Sequence, residues 1–150
     1  MQISARSDYA VRALLVLATE PQLVTGEELA ARQDLPRKFL EAILGDLRRA
    51  HLVRTRRGAQ GGYQLERPAD EVTLGQVIRA VDGPLALVRG EAPQATAYAG
   101  VAEHLPTVWV AVRAALREVL DTTTLEHLAT GELPEVVRRL AEAPDAWQQR

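Results

Sequence analysis

The stretch TRRGAQGGYQLERP, residues 55–68, decides how this chain is read. It holds two adjacent arginines, three glycines and a tyrosine, and almost nothing that could build a core. Residues 52–56, LVRTR, and 62–66, GYQLE, each alternate apolar and polar side chains, the period of a half-buried strand. Between them Arg57-Gly58-Ala59-Gln60-Gly61 forms a tip where glycine permits positive φ and a close approach of backbone to a ligand. Pro68 ends the second strand, because proline cannot donate to a ladder. A two-stranded hairpin is marginal by itself. Packing through Val53, Tyr63 and Leu65 must therefore hold it.

The residues before the hairpin supply a support. In VTGEELAARQDLPRKFLEAILGDLRRAHLV, Thr25 and Glu28 have the spacing of a capping box, which predicts a short helix over 26–33. Asp34-Leu35-Pro36 is a turn, with proline favoured at the first helical position. A second helix over 36–50 follows. Its Phe39, Leu40, Ile43, Leu44 and Leu47 recur at spacings of three and four, so one face is buried. Two helices joined by a tight turn form a helix-turn-helix pattern, and the hairpin directly after them is its wing. Further upstream, residues 8–19 are apolar on nearly every side, as in a helix buried among others. Ser7 is its predicted cap and Glu20-Pro21 its end.

Past the wing, Thr73 caps a helix over 74–82 with Leu74, Val77, Ile78 and Val81 as its buried stripe, and Gly83-Pro84 stops it. Residues 85–105 are poor in pattern and read as loop with a helical turn. A long helix over 106–122 follows, with Val108, Trp109, Val112, Leu116, Val119 and Leu120 on one stripe and Val110, Ala111, Ala114 and Ala115 widening it. So much apolar surface needs cover, and a second copy of the same helix is the economical source, which implies a homodimer. One more short helix begins near Thr124 and ends at Gly131. Leu133, Val136, Val137 and Leu140 form a last stripe before a tail with Trp147. The predicted fold is mainly α with a small β-hairpin. It comprises a winged helix-turn-helix unit (1–84), a possible sensing segment (85–105), a dimerisation helix with its short follower (106–130) and an amphipathic tail (131–150).

Composition narrows the function. The chain has 150 residues, a net charge of -2 and no cysteine. Residues 1–67 carry 11 Lys+Arg against 8 Asp+Glu, and the remainder 7 against 12. Between Arg37 and Arg57 seven basic residues face two acidic ones, a local footprint for a polyanion. No apolar run approaches the roughly 20 residues of a membrane span and no signal-peptide pattern opens the chain, so a cytoplasmic location without membrane contact is expected. The absence of cysteine excludes disulfides, thiolate chemistry and cysteine-ligated metal. His51, His104 and His127 lack metal-site spacing, Ser4 and Ser7 lie in no nucleophile elbow, and the glycines belong to a hairpin rather than a phosphate loop. Catalysis, metal and cofactor are therefore not expected.

Three segments carry a family resemblance: SARSDYAVRALLVLA, the run LPRKFLEAILGDLRRAHLVRTRRGAQGGYQLERPADEVTLGQVIRAVDGP, and the later Trp109 with its Val, Leu and TTL. Over about residues 1–130 the chain resembles the BadM/Rrf-two family of bacterial winged-helix transcription regulators. The resemblance implies a dimer acting on a palindromic operator, as repressor in this reading. It implies that Arg37, Lys38 and Glu41 face bases or nearby phosphates, and arginine to guanine and glutamate to cytosine N4 are apt pairings. It implies that Arg56, Arg57, Gly58, Gln60 and Gly61 meet backbone or minor groove, where narrow grooves attract arginine. Thr25, Ser4 and Arg6 are further phosphate contacts near helix starts. Many relatives hold an iron–sulfur cluster on three cysteines before the dimerisation helix. Here that segment has none, and Asp8, which matches a carboxylate ligand in some, is read as a surface or capping group. The remaining partner is a small-molecule or protein effector, with 85–105 and the Trp109 face as the pocket. An alternative is a winged-helix module that binds protein or RNA.

Overall fold

Helix α1 (Ala5–Thr19) is the post of the helical core. Its Ala10, Ala13, Leu14, Val16 and Leu17 are buried, which is why its sequence is apolar on nearly every side. Helices α2 (Gly26–Gln33), α3 (Arg37–Arg49), α4 (Leu74–Asp82) and α6 (Leu125–Thr130) all pack against it. The structure, a computed structural model, describes residues 2–148. Residue 1 of the expected winged unit and 149–150 of the expected tail lie outside the described residues.

The start of α1 differs from the sequence expectation. Ser4, not Ser7, is the cap: its hydroxyl accepts from the Ser7 amide at 3.0 Å. Ser7 is buried and donates to Asp82 Oδ2 at 2.6 Å, and Ser4 donates to the same carboxylate. The partner lies 75 residues away at the end of α4, so local sequence could not assign the cap.

Helix α2 begins where Thr25 and Glu28 predict. The Thr25 hydroxyl accepts from the Glu28 amide at 3.2 Å, and Glu28 Oε2 accepts from the Thr25 amide at 2.9 Å. Asp34 then turns left-handed, a conformation its short polar side chain tolerates. That turn lets the Leu35 amide reach the Ala30 carbonyl at 2.9 Å and sends the Leu35 side chain into the core. Helix α3 packs Leu40, Ile43, Leu44 and Leu47 inward, all nearly fully buried. Each such side chain contributes roughly 1.5–3 kcal/mol relative to exposure. Phe39 departs from the expected buried face: it is 53% exposed. It is offset far enough around the helix from the centre of the leucine stripe to leave the core.

Strands β1 (Val53–Arg56) and β2 (Gly62–Leu65) form an antiparallel hairpin with Val53 opposite Leu65 and Arg56 opposite Gly62. The hairpin is held at both edges. Val53 is buried, and Tyr63 and Leu65 lie half-buried against the core. On the other side Val24 bridges Tyr63, its amide donating at 2.9 Å and its carbonyl accepting at 2.8 Å. Gly62 makes this approach possible: a Cβ there would lie 2.7 Å from the Val24 oxygen.

Helix α4 opens with a second capping box, Thr73 with Gln76, and Gly83 ends it. Of the expected stripe, Val77 is fully buried, while Leu74, Ile78 and Val81 are half-buried. Residues 85–105 contain a tight turn, in which Val88 and Glu91 bond each other at 2.9 and 3.0 Å, and two 3-10 turns. Helix α5 (Leu105–Leu120) returns toward the core at its end. There the Leu74 amide donates to the Thr123 carbonyl and the Leu125 amide to the Val72 carbonyl, both at 2.9 Å. Arg79 holds Asp121 at 2.6 Å across Gly75, whose missing Cβ leaves room for the carboxylate. Leu125 is fully buried beside α1. Helix α7 (Glu135–Ala141) follows, with Leu140 half exposed. Trp147 donates to the Ala141 carbonyl at 2.7 Å while the residue as a whole stays 87% exposed.

Candidate nucleic-acid interface

Burial of the α3 leucines fixes the rotation of the helix and turns Lys38, Glu41, Ala42 and Arg49 to solvent. The first turn of α3 has no acidic residue and no side-chain cap; Pro36 occupies the cap position. Unpaired first-turn amides and two adjacent cations, Arg37 and Lys38, give this end a positive field. Arg37 Nε lies 3.3 Å from Glu41 Oε1, one helical turn on, and both side chains are well exposed. Such an exposed pair is weak and readily exchanged, so both ends are free to take other partners.

The wing adds further cations. Arg54, Arg56 and Arg57 are all exposed, as are Gly58 and Gln60 at the tip. The tip is closed by the Gly61 amide donating to the Gly58 carbonyl at 2.9 Å. Gly58 has φ +109, with open space where a Cβ would stand. With its oxygen turned to Arg54, the Gln64 amide accepts from Nε at 2.8 Å and Nη2 at 3.1 Å, a cross-strand pair on the wing surface.

The structure brings Thr25, Arg56, Gln60 and Gly61 together around one concavity of about 610 Å³ between the α1–α2 loop and the wing. Gln22 and Gln64 also line it. Sequence reasoning does not single out these two or Arg54, which stands opposite Gln64 in the hairpin. Arg57 and Gly58 stand at the tip outside this concavity, and Arg37, Lys38 and Glu41 lie on α3. The Thr25 hydroxyl is engaged in its cap, also donating to Glu28 Oε2 at 2.9 Å. The Thr25 amide, then its hydroxyl, hold the Glu28 carboxyl below its ordinary pKa of 4.5, assisted by nearby Arg32. Arg32 is itself raised by its hydrogen bond to Glu20.

Other cations of this region are engaged within the protein. Arg6 pairs with Asp46, and so does Arg49. Asp46 thus ties α3 back to α1. Ser4 is committed to its cap and to Asp82.

The α5 residues are less buried than those of any other long helix. No residue of α5 is fully buried; Trp109, Val112, Leu116, Val119 and Leu120 are half-buried and Val108 is 52% exposed. Trp109 Nε1 is buried without an acceptor among the described residues. Trp109 and Val112 face Ala86, Leu87 and Val88 across an apolar cavity of about 480 Å³.

A helix-turn-helix with a cationic recognition end and an arginine-bearing wing defines a DNA-binding transcriptional regulator rather than an enzyme. The chain belongs to the Rrf2 family, described as "Rrf2: Iron-dependent Transcriptional regulator", which matches residues 3–131. It is 46% identical over 144 residues to "Putative HTH-type transcriptional regulator Rv1287" of Mycobacterium tuberculosis, covering 95% of this chain and 89% of that one. It is 33% identical over 132 residues to the HTH-type transcriptional regulator CymR of Bacillus subtilis, covering 87% and 91%. The solved structure of that CymR, titled the global cysteine regulator, superposes with a TM-score of 0.73 over 87% of this chain and 98% of that one. T. potens IscR superposes with a TM-score of 0.70 at 30% identity, covering 88% of each chain.

The family description names iron, and the side chains present here do not fit an iron–sulfur cluster. The chain has no cysteine, and the described residues contain no group of three or more His, Cys, Asp or Glu side chains able to hold a metal. Glu103 and His104 pair with each other in solvent at 3.3 Å. Asp8 is exposed and pairs with Arg12 at 3.4 Å, in keeping with a surface group. Among the described residues no helix is long and apolar enough to cross a membrane.

Proposed function

We propose that this protein is a homodimeric repressor that binds a palindromic operator and works without an iron–sulfur cluster. The observation that carries the reading is α5: sixteen residues, mostly apolar, none of them fully buried by the chain's own fold. A second copy covering Val108, Trp109, Val112, Leu116, Val119 and Leu120 removes that apolar surface from water and makes the interface two-fold. Two α3 helices and two wings then meet two half-sites about one helical turn apart. Within each half-site Arg37, Lys38 and Glu41 read or flank the major groove. Arg56, Arg57, Gly58, Gln60 and Gly61 follow the adjacent backbone or minor groove, and Thr25 stands by a phosphate. A dimer occupying promoter DNA represses by excluding the transcription machinery. The cavity between residues 86–88 and Trp109 is the place for a small-molecule or protein effector, because anything bound there bears directly on α5.

The test uses Val108→Glu, which places a charge on the exposed side of α5 and leaves the core untouched. The wild type elutes as a dimer and shifts a duplex selected from its own upstream region; deletion of the gene raises expression of a reporter carrying that region. Val108→Glu elutes as a monomer and loses specific retention. A wild-type monomer without sequence preference refutes the proposal.

A further inference from the structure

The outward side of α3 carries an apolar edge that the cationic contacts do not use. Phe39 is 53% exposed, although four other large apolar residues of the same helix are nearly fully buried. Its neighbour Lys38 and the residue three positions on, Ala42, are exposed as well. One turn further, a Cβ on Gly45 would meet only the tip of Arg49, at 3.6 Å. Beyond Phe39 this surface therefore narrows to small side chains, so the helix can sink into a groove until its first two turns touch base edges. Recognition helices contact bases mainly through their N-terminal residues. The base-edge group that an aromatic ring recognises in the major groove is the C5-methyl of thymine, the one apolar feature there.

We propose that Phe39 is a specificity-determining residue that packs, with Ala42 beside it, on a thymine methyl in each half-site. This rests on the DNA-reading function proposed above and assigns to it a base type that the charged residues Arg37 and Glu41 do not supply. Removing the methyl from that thymine leaves every hydrogen bond of the base pair intact and deletes only the apolar contact.

The experiment selects a preferred duplex from a random library with the full-length wild type, then replaces each thymine in turn by deoxyuridine. Affinity is read by fluorescence anisotropy at constant salt for wild type, Phe39→Ala and Phe39→Leu, with thermal unfolding to show that each variant is folded. At one thymine position per half-site the wild type loses about fourfold, the factor for one buried methyl. Phe39→Ala loses less than twofold there, and Phe39→Leu falls between them. A deoxyuridine profile that is the same for wild type and Phe39→Ala overturns the inference while leaving the regulator reading intact. A library that enriches no sequence overturns both.

Discussion

Gly62→Ala tests how the wing is fixed to the body. Val24 and Tyr63 exchange two backbone hydrogen bonds, at 2.9 and 2.8 Å, and Gly62 lies directly under that bridge. A Cβ on residue 62 would stand 2.7 Å from the Val24 oxygen and 2.9 Å from its carbonyl carbon. Both are backbone atoms, so no side-chain rotation relieves the clash; the bridge must open. Losing both bonds costs about 2 kcal/mol, at about 1 kcal/mol each. The φ of +156 at this position, rarely adopted with a Cβ, raises the total to about 3 kcal/mol. The assay is urea unfolding together with amide hydrogen exchange. The midpoint falls, and the Val24 and Tyr63 amides exchange about a hundredfold faster, as a loss of that size requires. Gly58→Ala is the matched control. It also has positive φ, +109, but nothing lies within 4 Å of the added Cβ. It costs about 1 kcal/mol of backbone strain and leaves exchange at residues 24 and 63 unchanged. A Gly62→Ala protein with wild-type midpoint and wild-type protection at Tyr63 would refute the reasoning.

Three further outcomes are expected. Arg56→Ala with Arg57→Ala weakens binding on all duplexes and lowers the slope of log affinity against log salt by about 0.9 for each phosphate contact removed; an unchanged slope removes the wing from the interface. Glu41→Ala, which also frees Arg37 from its 3.3 Å pair, relaxes sequence preference more than it lowers total affinity; a selection experiment that returns the wild-type motif shows that Glu41 reads no base. Finally, Glu28 has its pKa lowered in the folded state by the Thr25 cap, so its contribution is fully present above the ordinary value of 4.5 and is lost as pH falls through the lower folded value. Thermal melts between pH 5 and pH 3 should therefore fall less steeply for Glu28→Gln than for wild type, and equal slopes contradict the capping role.

Much of the fold was legible because its helix ends are signalled locally. Thr25 with Glu28 marks the start of α2, Thr73 marks that of α4, and Gly83 marks its end. The wing was legible from alternation and from glycine at its tip. What the sequence hid depends on distant partners. Ser7 looks like a cap until Asp82 is brought beside it. Phe39 fits the leucine spacing, but only the packed structure shows that the core stripe ends before reaching it. The third capping box, Thr124 with His127, uses an imidazole nitrogen as acceptor at 3.1 Å, an unusual residue in that position. For the candidate site, residue types and their order were readable on α3 and the wing. The concavity that gathers Thr25, Arg56, Gln60 and Gly61 was not, because it depends on the Val24–Tyr63 bridge.

The junction of α5 with the start of α4 has a mechanical consequence. The backbone bonds at Thr123 and Leu125, with the Arg79–Asp121 pair, clamp one end of α5 like the root of a cantilever, while Trp109 toward the other end faces residues 86–88. A push at the tip of such a beam reaches its clamped root as a bending moment on α4. In the homodimer proposed above, a ligand wedged near Trp109 would change the spacing of the two α3–wing units and so their fit to a duplex of fixed pitch. Asp121→Ala removes the Arg79 contact from that root and leaves the backbone bonds at Thr123 and Leu125 in place.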